Sequence, residues 1–212
     1  MTDDSRVEPS GPLPPPLATA MTGPMIGPRL VLARYSDQGI TALHRVIEEN
    51  LDHLAPMMWW IADEPKSLID RLTLRDDWER ESSIGRGVTL GIFLDGVLIG
   101  SCGLHRRRPV AHLLEIGYWL DRRLEGRGYA TETTLLLCEE AFTHDEISEV
   151  RIYCDDANQQ SAQVAIRAGF HYVATAPSPE GLRSPGESGH ERQYALHRSD
   201  FDSAWRSRFY DD

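Results

Sequence analysis

Two glycines stand between a predicted strand and a predicted helix. The segment 120–132 ends an apolar strand, passes through Gly126, Arg127 and Gly128, and enters a helix near Thr131. Glycines permit tight backbone geometry, and the first amides of a helix carry partial positive charge, so several N–H groups converge on one place. Arg127 adds a fixed charge. The pattern predicts an anion-binding site, with an ordinary strand–helix turn as the alternative.

Two familiar phosphate-binding loops do not fit this turn. A Walker A loop needs a Lys-Ser/Thr pair after its glycines, and none follows Gly128. A dinucleotide-binding fingerprint needs a third glycine or alanine where Thr131 stands, together with a βαβ unit of parallel strands. Three strands that read as antiparallel precede this turn instead. The sequence therefore disfavours both loops.

The predicted elements form one mixed α/β domain. Asp95-Gly96 between two apolar runs is a strong hairpin signal, and Gly169 ends a helix as its C-cap. Asp37 is the expected N-cap of the first helix, and Ser199 that of a last helix reaching Phe209. We expect strands over 29–34, 88–94, 97–104, 113–120, 149–154, 170–174 and 192–197, helices over 37–50, 67–80, 131–143 and 158–168, an irregular segment over 53–60, and a loop over 176–190. The loop is interpreted as variable surface, with an active-site rim as the alternative.

Composition separates a head from the fold. Seven of the 13 prolines lie within residues 1–28, which have no apolar period, so we expect a mobile extension there and a single domain over 29–212. The formal charge of −11 disfavours nucleic acid as a partner, since phosphate binding needs surplus cations. The sequence has no run of about 18 apolar residues, so we expect no transmembrane helix. Its first residues also lack the basic region and apolar run of a signal peptide, so we expect none.

The three cysteines match no metal or redox motif. Cys102, Cys138 and Cys154 are widely spaced within apolar runs, so we expect buried free thiols and a cytoplasmic protein. The eight histidines are scattered and have no acidic or thiol partner at ligand spacing, so we expect no metal.

Four segments in order carry a family resemblance. The hexad 125–130, Glu-Gly-Arg-Gly-Tyr-Ala, resembles the acetyl-CoA pyrophosphate motif of the GNAT N-acetyltransferases, written Gln/Arg-x-x-Gly-x-Gly/Ala. Three further segments resemble the ribosomal-protein N-terminal acetyltransferase branch. Segment 115–120 resembles the strand before this motif, and segments 158–161 and 168–170 resemble the second cofactor helix and the strand after it. Segment 53–56 resembles the early acceptor segment. The resemblance spans about residues 29–198.

The resemblance implies a fold and a donor. The fold would be the GNAT fold, a central, mostly antiparallel sheet flanked by helices, and the donor acetyl-CoA. The residues implied to bind it are Tyr118, Trp119, Leu120, Gly126, Arg127, Gly128, Tyr129, Ala130, Thr131 and Asn158. Glu125 departs from the motif, which has Gln or Arg at this position. A carboxylate near a pyrophosphate repels it unless the side chain points to solvent.

Acetyl transfer to an amine needs a base and an acid. The resemblance places Glu115 near the acceptor amine as the base, acting directly or through a water, and Ser161 near the sulfur of CoA as the acid. A strand-edge salt bridge and a helix first-turn hydroxyl are the respective alternatives. On the acceptor side we expect His53, Trp59, Trp60 and His105.

The acceptor amine is open between two classes. The resemblance implies the α-amine of a protein or peptide N-terminus, and other GNAT enzymes use small-molecule amines such as antibiotics or polyamines. A non-catalytic acyl-CoA-binding module is a further alternative, which the presence of both Glu115 and Ser161 disfavours. A homodimer is common among the enzymes that the sequence resembles.

Overall fold

An eight-stranded sheet organises the protein. The computed structural model describes residues 24–106 and 110–209. The strands are β1 (Met25–Ile26), β2 (Leu30–Ala33), β3 (Gly87–Leu94), β4 (Val97–His105), β5 (Leu113–Leu120), β6 (Glu149–Asp155), β7 (His171–Pro177) and β8 (His190–His197). Their spatial order is β1-β2-β3-β4-β5-β6-β8-β7. All neighbours are antiparallel except β5 and β6, which confirms the predicted mixed α/β class.

Five helices cover the two faces of the sheet. They are α1 (Asp37–Glu48), α2 (Leu51–Leu54), α3 (Leu68–Ser83), α4 (Tyr129–Ala141) and α5 (Gln159–Arg167). Leu98 packs in a cluster with residues of α1, and the adjacent Ile99 packs in a larger cluster with residues of α4 and α5. Because successive strand residues point to opposite faces, α1 lies on one face and α4 and α5 lie on the other.

The central strands separate at one end. β5 and β6 are in parallel register from Leu113 opposite Glu149 to Ile116 opposite Ile152. Beyond that point β5 continues to Leu120 and β6 to Asp155, but the register between them ends. Backbone polar groups in such a gap need other partners. The split therefore opens a cleft in the sheet where an extended ligand can make hydrogen bonds.

The hairpin prediction is confirmed in detail. β3 and β4 pair across Asp95 and Gly96, whose φ angles are 49° and 78°. Two positive φ angles in a row are what a tight two-residue hairpin turn requires. β5 adds the third antiparallel strand of the predicted run.

Three predicted boundaries were wrong. The domain begins before Arg29, because β1 pairs with β2 and buries Met25; residues 1–23 of the predicted extension lie outside the described part. Ser36, not Asp37, caps α1, since its hydroxyl accepts from the amide of Gly39. The predicted last helix is two short 3₁₀ turns, Arg198–Asp200 and Trp205–Phe209, because the carboxylate of Asp202 accepts from the Ala204 amide and starts a new turn.

The cysteine prediction is confirmed, since Cys102, Cys138 and Cys154 are all free and buried. Within residues 24–106 and 110–209, no helix is long and apolar enough to cross a membrane. Over the same residues no cluster of His, Cys, Asp and Glu is suited to hold a metal ion.

Candidate active site

A cavity of about 590 Å³ occupies the split between β5 and β6. It is bounded by the ends of both strands, the turn before α4 and the first turn of α5, with the segment around α2 and the loop between β7 and β8 on its other side. A Cβ added to Gly117 on β5 would meet no atom within 4 Å, so the space over this residue is open. Glu115 and Trp119 flank Gly117 on the same face of the strand.

The glycine turn delivers backbone amides to this cavity. Gly126 and Gly128 have φ angles of 73° and 80°, a conformation that side chains with a Cβ adopt only at a cost. Gly128 is the N-cap of α4 and offers no side chain to the first-turn amides. Because those amides have no intrahelical acceptor, they are available to an anion. Gly126, Gly128, Tyr129, Ala130 and Thr131 all line the cavity.

Arg127 contributes to the turn through its backbone carbonyl. Its side chain is exposed and is not among the residues that line the cavity. The backbone carbonyl of Arg127 instead accepts a hydrogen bond from the Arg29 guanidinium at 3.1 Å. Two positive φ angles in one turn change the directions of the side chains between them. The spacing of residues in the sequence therefore does not predict that the Arg127 side chain lies outside the cavity lining.

Glu125 is turned toward two neighbouring elements. One carboxylate oxygen lies 3.1 Å from Nε2 of His53, and the other accepts from Nε2 of Gln160 at 3.4 Å. His53 lies in α2 and Gln160 in α5, so Glu125 connects both elements to the glycine turn. These contacts hold the carboxylate beside the turn.

Glu115 lies on the wall of the cavity. It is half-buried on β5, lines the cavity, and stands in register between His105 of β4 and Arg151 of β6. His105 itself is outside the cavity lining, because its ring packs over Gly87 and Gly103. The sequence placed His105 on the acceptor side; the structure places it behind Glu115.

The predicted acid is part of a hydroxyl pair. Ser161 Oγ and the Tyr118 hydroxyl are 3.0 Å apart, and the Asn158 side chain caps α5 by accepting from the Ser161 amide at 3.0 Å. All three residues line the cavity, and Cys154 lies beside them. Burial raises the pKa of Tyr118 well above its ordinary value, against the opposing effect of the Ser161 hydrogen bond. The Tyr118 hydroxyl therefore stays protonated at any physiological pH.

The Cys154 thiol is also held in its neutral form. Burial raises its pKa to about 11, although a hydrogen bond from Ser161 and the charge of Arg192 oppose this. Thiolate is the nucleophilic form of cysteine, so this site favours no attack by Cys154.

The acceptor side is built by two segments in contact. Met57, Met58 and Trp59 line the cavity after α2, and Arg183 lies over the Trp59 ring at 5.0 Å. Gly186 donates its amide to the Pro56 carbonyl at 3.0 Å, and a Cβ at Gly186 would come within 2.7 Å of that oxygen. Only glycine allows this approach between the two segments.

The loop between β7 and β8 is therefore a rim of the cavity, which is the alternative that the sequence left open. Ser178, Arg183 and Glu187 from this loop line the cavity, as does His190 at the start of β8. The loop is held by the carboxylate of Asp155, which accepts from the amides of Ser188 at 2.9 Å and Gly189 at 3.2 Å. Loop composition carries no information on which surface a loop packs against.

Trp60 does not take the predicted acceptor role. Its ring packs against Trp119, with centroids 6.1 Å apart, and against the cluster under α1. Trp119 and Leu120 reach the cavity from β5, and His53 and Trp59 reach it from the α2 side. The sequence does not show which of the two adjacent tryptophans faces the cavity. Both lie in a short 3₁₀ helix, Trp59–Asp63, which is too short for a repeating pattern of apolar residues to define its faces.

A family model described as an acetyltransferase (GNAT) domain matches residues 29–171. The chain belongs to the GNAT acetyltransferase family. It is thus an acetyl-CoA-dependent acetyltransferase of the Rim-type branch.

Two bacterial relatives align with large parts of this GNAT domain. YdaF of Bacillus subtilis (strain 168) is 30% identical over 128 residues, which are 60% of this chain and 70% of YdaF. The ribosomal-protein-serine acetyltransferase of Escherichia coli (strain K12) is 37% identical over 79 residues, which are 37% of this chain and 44% of that protein.

Solved structures share the fold. The ribosomal L7/L12 α-N-protein acetyltransferase RimL, in complex with coenzyme A, has a TM-score of 0.75 at 21% identity, covering 82% of this chain and 98% of RimL. Mycobacterium smegmatis RimJ, in complex with CoA-disulfide, has a TM-score of 0.74 at 19% identity, covering 88% of this chain and 91% of RimJ. At these identities the likeness concerns the GNAT fold.

The cavity fits the acetyl donor of a GNAT enzyme. The uncapped amides of α4 and the left-handed glycines suit a pyrophosphate, and the split between β5 and β6 suits an extended chain with amide groups. Bound there, acetyl-CoA supplies a thioester whose acetyl group can pass to an amine. The open space over Gly117 lies on the face of β5 that carries Glu115, and Tyr118 points to the opposite face of the strand.

Proposed function

We propose that this GNAT enzyme acetylates the α-amine of a protein or peptide N-terminus. The single observation that carries the proposal is the cavity at the split of β5 and β6, which is lined by a carboxylate, Glu115 of β5, and by a hydroxyl pair, Tyr118 of β5 and Ser161 of α5. The E. coli relative is named for acetylation of a ribosomal-protein serine, which supports a protein acceptor. Three buried free thiols suit a cytoplasmic setting.

In this proposal the glycine turn binds the pyrophosphate of the donor. The amides at the start of α4 donate to it, and Asn158, by capping α5, fixes the helix that carries Ser161. Glu115 accepts a proton from the acceptor ammonium, directly or through a water. The neutral amine attacks the thioester carbonyl, and a C–N bond forms while the C–S bond breaks. The Tyr118–Ser161 pair donates a proton to the departing thiolate, and the second proton that the nitrogen loses restores the pair through solvent. Because the acetyl group passes directly to the amine, no covalent intermediate forms on the protein.

The rim defines where the acceptor enters. Met57, Met58 and Trp59 form an apolar wall, and the 178–189 loop lies opposite with Arg183 and Glu187. Such a wall suits the first side chain of a peptide, while Glu115 faces the amine. A free volume of about 590 Å³ is within the ordinary range of small-molecule and peptide-end sites.

Thiol-release kinetics with acetyl-CoA test the proposal. The acceptors are peptides with serine, alanine or methionine at a free N-terminus, the same peptides pre-acetylated, and small amines that include a polyamine and an amine-bearing antibiotic. We expect turnover with the free peptides and none with the blocked ones. Turnover with small amines alone, or CoA binding without turnover on any acceptor, would contradict the proposal.

A further inference from the structure

One arginine, Arg29, packs against the glycine turn on the side of Tyr129 and Phe209. The Arg29 guanidinium lies between the rings of Tyr129 and Phe209, 4.8 Å from each centroid. It donates to the Arg127 carbonyl at 3.1 Å and, through Nε, to the carboxylate of Glu132 at 2.7 Å. Arg29 therefore connects the N-terminal part of the sheet, the turn, the first turns of α4 and the C-terminal 3₁₀ turn.

Glu132 fixes Arg29 in that position. It is fully buried, and one carboxylate oxygen accepts from the backbone amides of Arg29 at 2.8 Å and Leu30 at 3.1 Å. A Cβ added to Gly128 would lie 3.4 Å from a terminal nitrogen of Arg29. The ion pair is thus oriented, with its cation beside the turn and its carboxylate one helical turn further along α4.

The contact with the Arg127 carbonyl also orients an amide. In a trans peptide the C=O of one residue and the N–H of the next point in opposite directions. Because the Arg127 carbonyl points at Arg29, the Gly128 N–H points away from Arg29. Gly128 lines the cavity, where this amide is needed as a donor.

We infer that Arg29 is a positioning residue for binding of the donor's pyrophosphate. It holds the Arg127–Gly128 peptide in its donor orientation, and its cation adds to the positive end of α4. This inference rests on the proposed function, in which the glycine turn binds the pyrophosphate. Arg29 contacts no reacting atom, so its effect should be confined to donors that carry a pyrophosphate.

The chain offers a matched control at the other end of the same helix. Arg206 donates to Glu139 of α4 at 2.6 Å and to the Ile26 carbonyl at 2.7 Å, and its guanidinium lies 4.9 Å from the Trp205 ring centroid. It therefore repeats the ion pair, the backbone contact and the aromatic contact of Arg29. Glu139 lies seven residues after Glu132, about 10 Å along the helix axis.

The experiment compares two donors in the full-length enzyme. Acetyl-CoA carries the pyrophosphate, and S-acetylpantetheine lacks it along with the nucleotide. The main variant is the double substitution Arg29→Met with Glu132→Gln, in which no buried charge is left unpaired and the amide oxygen still accepts from the backbone. Arg29→Lys is the conservative variant, Arg206→Met is the control, and Gly128→Ala tests the turn itself.

For the double variant, we expect kcat/KM with acetyl-CoA to fall about tenfold and that with S-acetylpantetheine to change less than about twofold. Arg29→Lys keeps the cation but loses the planar fork, so the loss with acetyl-CoA should be about threefold. Arg206→Met should leave kcat/KM with both donors unchanged. If the double variant does not fold, Arg29→Lys carries the test.

Two results would overturn the inference. Equal losses with both donors would show that Arg29 acts only on the fold, and no loss with acetyl-CoA would show that the turn does not depend on it. Gly128→Ala separates this inference from the proposed function. If Gly128→Ala lowers kcat/KM with acetyl-CoA alone and the Arg29 variants do not, only the inference fails. If Gly128→Ala lowers kcat/KM equally with both donors, the assignment of the turn as the pyrophosphate site fails as well.

Discussion

The contact between Tyr118 and Ser161 predicts that their hydroxyls act as one proton donor. The oxygens are 3.0 Å apart at the cavity wall, and burial keeps the pKa of Tyr118 above its ordinary value, so the hydroxyl carries its proton. The perturbations are Ser161→Ala, Tyr118→Phe and the double variant. Each single change leaves one hydroxyl in place but interrupts the chain between them.

The expected magnitude follows from this series arrangement. A general acid contributes about 10²- to 10⁴-fold to a rate, so interruption of the chain should lower kcat about hundredfold in either single variant. If the hydroxyls act in series, the double variant should lose about hundredfold as well, because the second change removes a chain that is already broken. Independent hydroxyls would multiply to about ten-thousandfold.

The assay is thiol release under saturating acetyl-CoA and a peptide acceptor, with urea unfolding of each variant in parallel. Loss of one hydrogen bond should lower the free energy of unfolding by about 1 kcal/mol, too little to explain the kinetic loss. Tyr172→Phe is the matched control, because the Tyr172 hydroxyl pairs with Thr175 at 3.0 Å on the exposed strand β7. Wild-type kcat in both single variants, or multiplicative losses in the double variant, would refute the shared role.

Three further predictions concern carboxylates. Glu125→Gln should lower the KM for acetyl-CoA only about twofold, because the carboxylate is partly exposed and paired with His53; a tightening above about tenfold would mean that it repels the pyrophosphate. Glu132→Ala should lower the free energy of unfolding by about 3 kcal/mol in urea titrations, since it strands the Arg29 guanidinium and two buried amides, and a loss below about 1 kcal/mol would contradict this. For Asp155, partial burial tends to raise the pKa, but backbone hydrogen bonds outweigh it and hold the pKa below the ordinary 3.8. The folded state therefore binds this proton less readily than the unfolded state, and the stabilisation is present above about pH 4 and is lost as the pH falls further. Asp155→Asn should accordingly destabilise the protein at pH 7 and much less at pH 3; equal destabilisation at both values would exclude a role for the charge.

Local patterns predicted the elements that depend on neighbours in sequence. The Asp95-Gly96 turn, the helix end at Gly169 and the glycine turn before α4 all depend on backbone conformations that few residues adopt, so residue type alone indicates them. The short 3₁₀ turns at the C-terminus depend on weak local contacts and on burial of Trp205, and the prediction of one continuous helix was wrong there.

Side-chain direction in irregular segments was harder to predict. Trp59 and Trp60 are adjacent and of the same type, yet Trp59 lines the cavity and Trp60 packs against Trp119. Arg127 stands within the phosphate-binding motif but points to solvent. A regular period assigns faces in helices and strands, and neither residue lies in a long regular element.

The sequence by itself determined the family, the mixed sheet and the glycine turn before α4, because these depend on the order of motifs and on residue types with restricted or unusual backbone freedom. The tertiary structure alone decided which distant groups meet. It brought the 178–189 loop onto Pro56, Tyr118 against Ser161, and Arg29 behind Gly128. These contacts join residues far apart in sequence, and their formation depends on how the packed sheet and helices place each segment, which no local spacing encodes.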